Sequence, residues 1–439
     1  MKRKLFTILA IGFLCQMGFA QNFDKNKLDN YFESLETNNK FMGSLAVSQN
    51  GKIIYTKAIG FSDFENHIQA NENTKYRIGS ISKTFTSVLV LKAIEEHKLE
   101  LDQTLDKFFP GIENAEKITI KHLLGHRSGI HNFTDDEDYL SWCIQAKSEA
   151  EMVEIITNAG IDFEPDSKAQ YSNSNFVLLT YILEKTFEKT FADLLTIYIT
   201  KPLGLSNTCL GSKINTKNNE CHSYRFIDTW KLEDETDISI PLGAGGIVST
   251  PTDLVKFSNA LFGGKLLKTE SLELMKTIHD NYGIGLFQIP FFDKNGYGHT
   301  GGIDGFSSVF SNFTEGNISY AMTSNGTNYN NNNISIAVLS AVFNKPYDIP
   351  EFTTYCVKSE DLNKYLGEYS SNQIQLKITV TRENNTLIAQ ATGQSSFPLE
   401  ATEKDKFRFD QAGIVLEFNP GENSMILEQG GDQFTFTKE

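Results

Sequence analysis

Between Gly43 and Ser62 two runs, "GSLAVSQ" and "KIIYTKAIGFS", have strand-like patterning. Asn50-Gly51 separates them, a strong two-residue turn signal, so the pattern predicts a β-hairpin. After Ser80 the period changes. Phe85, Val88, Leu89, Leu91 and Ala93 recur at helical spacing up to the polar "EEHKLEL". The stretch from Ile118 to about Leu203 reads as helix-rich and includes "KHLLGHRSGIH" and "FVLLTYILEKTF". In "GAGGIVSTPTDLVKFSNALF" a loop enters a further helix. Thr250 suits the N-cap, Pro251 the first helical position and Asp253 the third, where its charge meets the helix dipole. Strand patterns return from Tyr282, in "YGIGLFQI", "SSVFSNF" and "ISYAMTSN". The Asn-rich "NGTNYNNNN" reads as one exposed loop before a last helix, "ISIAVLSAVF".

"NKPYDIP" then has the composition of a linker. From Lys358 to Glu439 short alternating runs, such as "IQLKITVTREN" and "QFTFTK", follow one another between turn residues. They predict a small all-β unit, a sandwich or barrel. The predicted layout is a leader over 1–20, a mixed α/β body over 21–345, a linker over 346–357 and a β domain over 358–439.

Composition narrows the function classes. A chain of 439 residues that is 40% hydrophobic and 22% charged has ample material for a large folded core. A formal charge of -15 argues against nucleic acid or anionic membranes as partners. The leader explains the basic start. "MKRK" precedes an apolar run, and Gly18-Phe19-Ala20 matches a small-x-small cleavage site. That run is shorter than the roughly 20 apolar residues of a membrane span. Export to the periplasm or extracellular space is therefore expected, with no membrane span after cleavage. Leu14 before Cys15 does not suit a lipoprotein signal.

Four cysteines lie beyond the leader, and Cys209 and Cys221 are candidates for a disulfide. No Cys-x-x-Cys spacing suggests zinc. His122 and His126 are four apart, with His131 nearby, but Leu123 stands where a zinc-protease motif needs glutamate. No metal or cofactor is expected.

The candidate chemistry lies elsewhere. Ser80 and Lys83, at the start of the predicted helix, share one face. A serine hydroxyl needs an adjacent base to become a nucleophile, and a lysine held in a partly dry site can serve. Ser-x-x-Lys alone is a cheap pattern. Tyr171 and Asn173 form a Tyr-x-Asn pair able to relay a proton and orient a carbonyl, although Tyr329-Asn330-Asn331 repeats the spacing. His299-Thr300-Gly301 reads as a strand edge that a substrate backbone can approach.

Taken in order, Ser80-x-x-Lys83, Tyr171-Ser172-Asn173 and His299-Thr300-Gly301 resemble the motifs of the penicillin-recognising serine hydrolases. That family holds class C β-lactamases, D-alanyl-D-alanine carboxypeptidases, D-aminopeptidases and esterases. "YRIGSISKTFTSVLV", "ITIKHLLGHRSGI", "GAGGIVSTPTDLVKF" and "GHTGGIDGFSSVFS" look like further landmarks, from Phe23 to about Asn344.

The resemblance implies an α+β fold, an antiparallel sheet flanked by helices with a helical subdomain. It also implies an acyl-enzyme on Ser80, proton transfer by Lys83 and Tyr171, and a substrate amide held by Asn173. Thr300 and Gly301 would line the substrate, and the amides of Ser80 and Gly302 would form the oxyanion hole. His299 replaces the lysine of β-lactamases, which favours peptidase, D-aminopeptidase or esterase activity. No arginine lies between Arg225 and Arg382, so a carboxypeptidase clamp for a terminal carboxylate is missing from its usual place. The β tail resembles the lipocalin-like domains that sometimes follow such a body. A non-catalytic sensor of peptidoglycan or β-lactams is the contrasting class, but the motif residues such a protein would have lost are all present.

Overall fold

The computed structural model describes residues 24–352, 355, 357–394 and 396–439. The predicted leader and Cys356 lie outside them.

The body is built on six antiparallel strands: β1 (Phe41–Gln49), β2 (Lys52–Ile59), β3 (Phe287–Phe291), β4 (Lys294–Ile303), β5 (Phe306–Phe313) and β6 (Ile318–Thr327). In space they run β3-β4-β5-β6-β1-β2, so the first hairpin docks against the last strand. Side chains on a strand alternate between faces. Leu45 and Val47 accordingly join one core with Tyr320 and Met322, while Ala46 joins the other with Phe310 and Ala321.

The first face is covered by the terminal helices α1 (Lys25–Thr37) and, at the far end of the body, Asn331–Val342. The second face carries α2 (Ser82–Glu95), α3 (Asn173–Phe187) and α4 (Pro251–Phe262), together with the shorter helices of the middle region. α2 is buried nearly all round, its polar Ser82, Lys83, Thr84, Thr86 and Ser87 included, and lies at the centre of the body. The Phe85 and Phe257 rings stack at 3.8 Å between α2 and α4. Thr250 caps α4, its side chain accepting from the Asp253 amide at 3.2 Å.

The Asn-rich stretch corrects the sequence expectation of one loop. β6 continues to Thr327, and Asn330 caps the last body helix, α5 (Asn331–Val342), by accepting from the Asn332 amide at 2.8 Å. Asparagine is a strong N-cap, so a run of asparagines can begin a helix as readily as it fills a loop.

The tail is a closed eight-stranded barrel over Gly367–Lys438, sealed where Gly367–Ser370 pairs with Asp432–Lys438. Its interior is packed with Tyr365, Tyr369, Phe407, Phe418, Met425 and Phe436, as expected of so narrow a barrel. The barrel meets the body through a buried cation. Lys40, just before β1, forms ion pairs with Glu400 and Asp410 and lies 4.9 Å from the Phe352 ring.

Among the described residues, no helix is long and apolar enough to cross a membrane. Cys143, Cys209 and Cys221 are free thiols. The candidate disulfide between Cys209 and Cys221 is therefore absent. Cys209 sits on a short strand paired with Val248, and the Cys221 thiol donates to the Lys75 carbonyl at 3.2 Å.

Candidate active site

Ser80 stands in the single turn Gly79–Ile81 that leads into α2, and Lys83 follows on the first turn of the helix. The turn is held from several sides. Ser82 Oγ accepts from the Ile247 amide at 3.1 Å, and Ser308 Oγ donates to the Ile78 carbonyl at 2.8 Å. Arg77, buried just before the turn, donates to Thr236 O at 2.7 Å and pairs with Asp304 at 3.0 Å. Gly79 has a φ of +50°, and a Cβ there would lie 2.7 Å from Gly302 N. Glycine is thus required both by the left-handed backbone and by the close approach of β4.

Lys83 is buried and its Nζ has three partners: Ser80 Oγ at 3.0 Å, Asn173 Oδ1 at 2.7 Å and Ala244 O at 2.7 Å. None of these is a carboxylate. Burial holds the Lys83 pKa well below the usual lysine range. The Ala244 carbonyl comes from the short helix Leu242–Gly245, whose first residue, Leu242, has a φ of +36°. A bulky residue in that region is strained, and the strained turn carries a contact to the reactive amine.

Asn173 opens α3, and both ends of its amide are engaged. Oδ1 accepts from Lys83, while Nδ2 donates to Asn132 Oδ1 at 3.2 Å and Thr134 Oγ1 at 3.1 Å. In this arrangement Asn173 orients the lysine. Tyr171 places its hydroxyl against Ser80 and its ring 4.8 Å from Lys83 Nζ. Burial raises the phenol above its ordinary pKa, against the opposing effect of the Ser80 contact, so it remains protonated.

Behind Tyr171 lies His126, stacked on its ring at 4.5 Å. The His126 Nδ1 accepts from the Ser172 amide at 3.2 Å. Burial first, then the neighbouring Lys83 and His299, keeps its imidazole neutral. In the sequence His126 belongs to a family landmark and to a His pattern that does not fit zinc. His126 is a positioning residue that the spacing of motifs did not reveal, and Asn132 is another.

β4 supplies the far side. β3 pairs with it only as far as Gly298, so among the described residues His299–Ile303 presents an edge free of a strand on that side. A Cβ on Gly301 would fall 2.0 Å from the Ile78 carbonyl, which shows how tightly this edge lies against the serine turn. Thr300 and Gly302 are exposed along it. His299 itself is buried, 4.4 Å from the Phe287 ring, and its Nδ1 contacts Thr300 O at 2.5 Å. A carbonyl only accepts, so Nδ1 carries the hydrogen. Burial, helped by Lys83, pushes the imidazole down to about 3. His299 is therefore a neutral strut beneath the edge.

Ser80 and Asn173 open onto a cavity of about 750 Å³ that Gly302, Asp304 and Thr134 also line. Glu233, Asp234 and Arg225 add charge to its wall. The Arg225 Nε is paired with Glu233 at 3.0 Å. Ser80, Lys83, Tyr171, Asn173 and the edge of β4 thus converge on one place. Among the described residues, no group of three or more acidic, histidine or cysteine side chains is placed to hold a metal.

Comparison with known proteins agrees with this geometry. The family model described as Beta-lactamase matches residues 28–343. Penicillin-binding protein 4* of Bacillus subtilis is 25% identical, over 93% of this chain and 97% of its own length. The teichoic acid D-alanine hydrolase of Staphylococcus aureus is 28% identical, over 61% of this chain and 66% of its own. Among solved structures, D-amino acid amidase from Ochrobactrum anthropi superposes with a TM-score of 0.64 at 25% identity, covering 73% of this chain and 98% of that one. An octameric penicillin-binding protein homologue from Pyrococcus abyssi has a TM-score of 0.65 and covers 94% of this chain and 100% of its own; at 21% identity it speaks for the fold.

Proposed function

Because the chain belongs to the Beta-lactamase family, we propose that this serine hydrolase forms an acyl-enzyme on Ser80 and cleaves amides, esters or peptides of D-amino acids bearing a free ammonium group. The contact set of Lys83 carries the reading. An ammonium would donate to all three partners. A neutral amine donates to Asn173 Oδ1 and Ala244 O and keeps its lone pair for the Ser80 hydroxyl. Burial without a carboxylate neighbour favours that neutral form.

The reaction follows from this arrangement. Ser80 Oγ bonds to the substrate carbonyl carbon while its proton passes to Lys83 Nζ. The oxyanion is held by the amides of Ser80 and Gly302. On collapse the C–N or C–O bond breaks, and Tyr171 hands its phenolic proton to the leaving group, regaining one from Lys83. Water then attacks the acyl carbonyl, gives its proton to the same pair, and releases the acid and Ser80. Thr300 and Gly301 support an extended substrate along the β4 edge.

The charge on the cavity wall supports the substrate class. Arg225 is taken up by Glu233 and the Asp304 carboxylate by Arg77, which leaves Asp234 in excess. An acidic wall suits an ammonium and disfavours a terminal carboxylate. This favours the aminopeptidase, amidase or ester-hydrolase type over the carboxypeptidase type. The activities named for the Ochrobactrum amidase and the staphylococcal hydrolase fit the same class. The leader Met1–Ala20 supports export, and mature protein recovered outside the cytoplasm should begin at Gln21.

The test uses D- and L-alanine p-nitroanilide, the p-nitrophenyl ester of D-alanine, and benzylpenicillin followed by intact mass. D-substrates should turn over faster than L, and any penicillin adduct should vanish in Ser80→Ala. Undiminished turnover in Ser80→Ala overturns the mechanism. Preference for a carboxylate-terminated D-alanyl-D-alanine peptide overturns the substrate class.

A further inference from the structure

The cavity that holds Ser80 is not built by the body alone. Ser396 and Gln411, both from the C-terminal barrel, line it as well. Gln411 stands in the turn Asp410–Ala412 between two barrel strands, and its side-chain amide donates to the carbonyl of Thr327, the last residue of β6. Thr327 is itself part of the cavity wall. The barrel thus reaches over the end of the sheet and adds to the lining of the site.

The adjoining contacts hold that turn in place. Asp410, next to Gln411, pairs with the buried Lys40 of the body at 3.9 Å and with Arg408 at 3.3 Å. Glu400 also pairs with Lys40. The Phe352 ring lies 4.9 Å from Lys40 and 5.9 Å from Arg408. A buried cation shared by two barrel carboxylates fixes orientation, because any rotation of the barrel would strand charges away from water.

We propose that the barrel is a wall of the substrate cavity, with Gln411 and Ser396 as specificity-determining residues for the part of the substrate beyond the reacting carbonyl. The proposal rests on the hydrolase reading given above. The body contributes carboxylates to the cavity, whereas the barrel contributes a neutral amide and a hydroxyl. Neutral donors and acceptors match a peptide or amide chain, so the barrel side reads the length of an uncharged leaving group while the acidic side receives the ammonium.

The experiment compares two substrates on the full chain, D-alanine p-nitroanilide and a D-alanyl-glycyl-glycine amide. The readout is the ratio of their kcat/KM values in wild type, Gln411→Trp and Gln411→Ala. Gln411→Trp should depress the longer substrate about tenfold more than the shorter, a plausible cost for one blocked contact. Gln411→Ala should move the ratio about threefold, a shift typical of one lost neutral contact. Ser396→Trp gives a second view should the first variant fold poorly, as judged by circular dichroism. Ratios unmoved in every folded variant overturn the wall while leaving the hydrolase reading intact. Wild-type protein that leaves both substrates uncut overturns that reading, and the wall falls with it.

Discussion

Lys83 and Lys40 are both buried, yet their surroundings differ in kind. Lys83, on the nucleophile helix, faces a hydroxyl, an amide oxygen and a backbone carbonyl. Lys40, at the seam between body and barrel, faces Glu400 and Asp410. The first setting offers hydrogen-bond acceptors but no counter-charge. The second supplies counter-charges and makes the lysine a fastener. Burial of a lysine therefore predicts no role by itself. The chemistry of the oxygens around it decides whether it is poised to accept a proton or locked in an ion pair.

The sharpest way to break the contrast is Lys83→Met. It should slow acylation of Ser80 by about 10²- to 10⁴-fold, the usual worth of a general base, measured from adduct formation by intact mass. A rate within about threefold of wild type would put the base elsewhere and erase the distinction.

The pH profile carries the same information. Lys83 works unprotonated, so acylation should rise with pH through its depressed pKa and then level off. Stability should respond with a definite sign. Between the depressed folded pKa and the unfolded value near ~10.4, the unfolded chain binds the extra proton, so this group's contribution makes stability rise with pH. Lys83→Met should flatten that slope. A slope unchanged in the variant would show that Lys83 is protonated in the folded protein.

Lys40→Met tests the other half. It removes one of the two cations that Glu400 and Asp410 share, Arg408 being the other, so the loss should be part of the about 3–5 kcal/mol that breaking a buried ion pair outright costs. Urea unfolding should show that loss, first in the barrel. If stability falls by less than ~1 kcal/mol, the seam behaves as a solvated surface pair.

His126→Phe is a finer probe. The ring can still stack on Tyr171 but no longer accepts from the Ser172 amide. A loss of about tenfold in kcat with little change in KM is expected of a group that only positions the proton relay. A matching rise in KM would mean that His126 shapes substrate binding. The smallest effect belongs to Cys209→Ser. With no disulfide to break, stability should stay within ~0.5 kcal/mol and non-reducing mobility should not change.

Much of the fold was legible because local rules and tertiary demands coincide. Asn50-Gly51 marked the first hairpin, Thr250 and Pro251 marked the start of α4, and the short alternating runs of the tail marked an all-β unit. The Asn-rich run misled because asparagine serves loops and helix caps alike. Of the site, Ser80 and Lys83, three apart where a single turn runs into α2, were visible once Tyr171-x-Asn173 and His299-Thr300-Gly301 followed them in order. Asn132, His126, Ala244 and Arg225 were not, because each reaches the site from a distant segment and carries no spacing that announces it. The same is true of Gln411, more than 300 residues along the chain from Ser80.

The sequence by itself determined most element types, the candidate nucleophile with Lys83 and Tyr171 as its two candidate bases, and the order in which the motifs arrive. Those properties depend on neighbours in the chain, where hydrogen-bond periodicity and side-chain direction are set. Only the tertiary structure decided which lysine has its pKa lowered by burial and which meets counter-ions, how Asn173 is turned, and that a β-barrel adds to the cavity lining. Those outcomes depend on the oxygens and apolar groups that folding gathers around an atom. The dielectric and partners so assembled, rather than residue type, set the free energy of a buried charge.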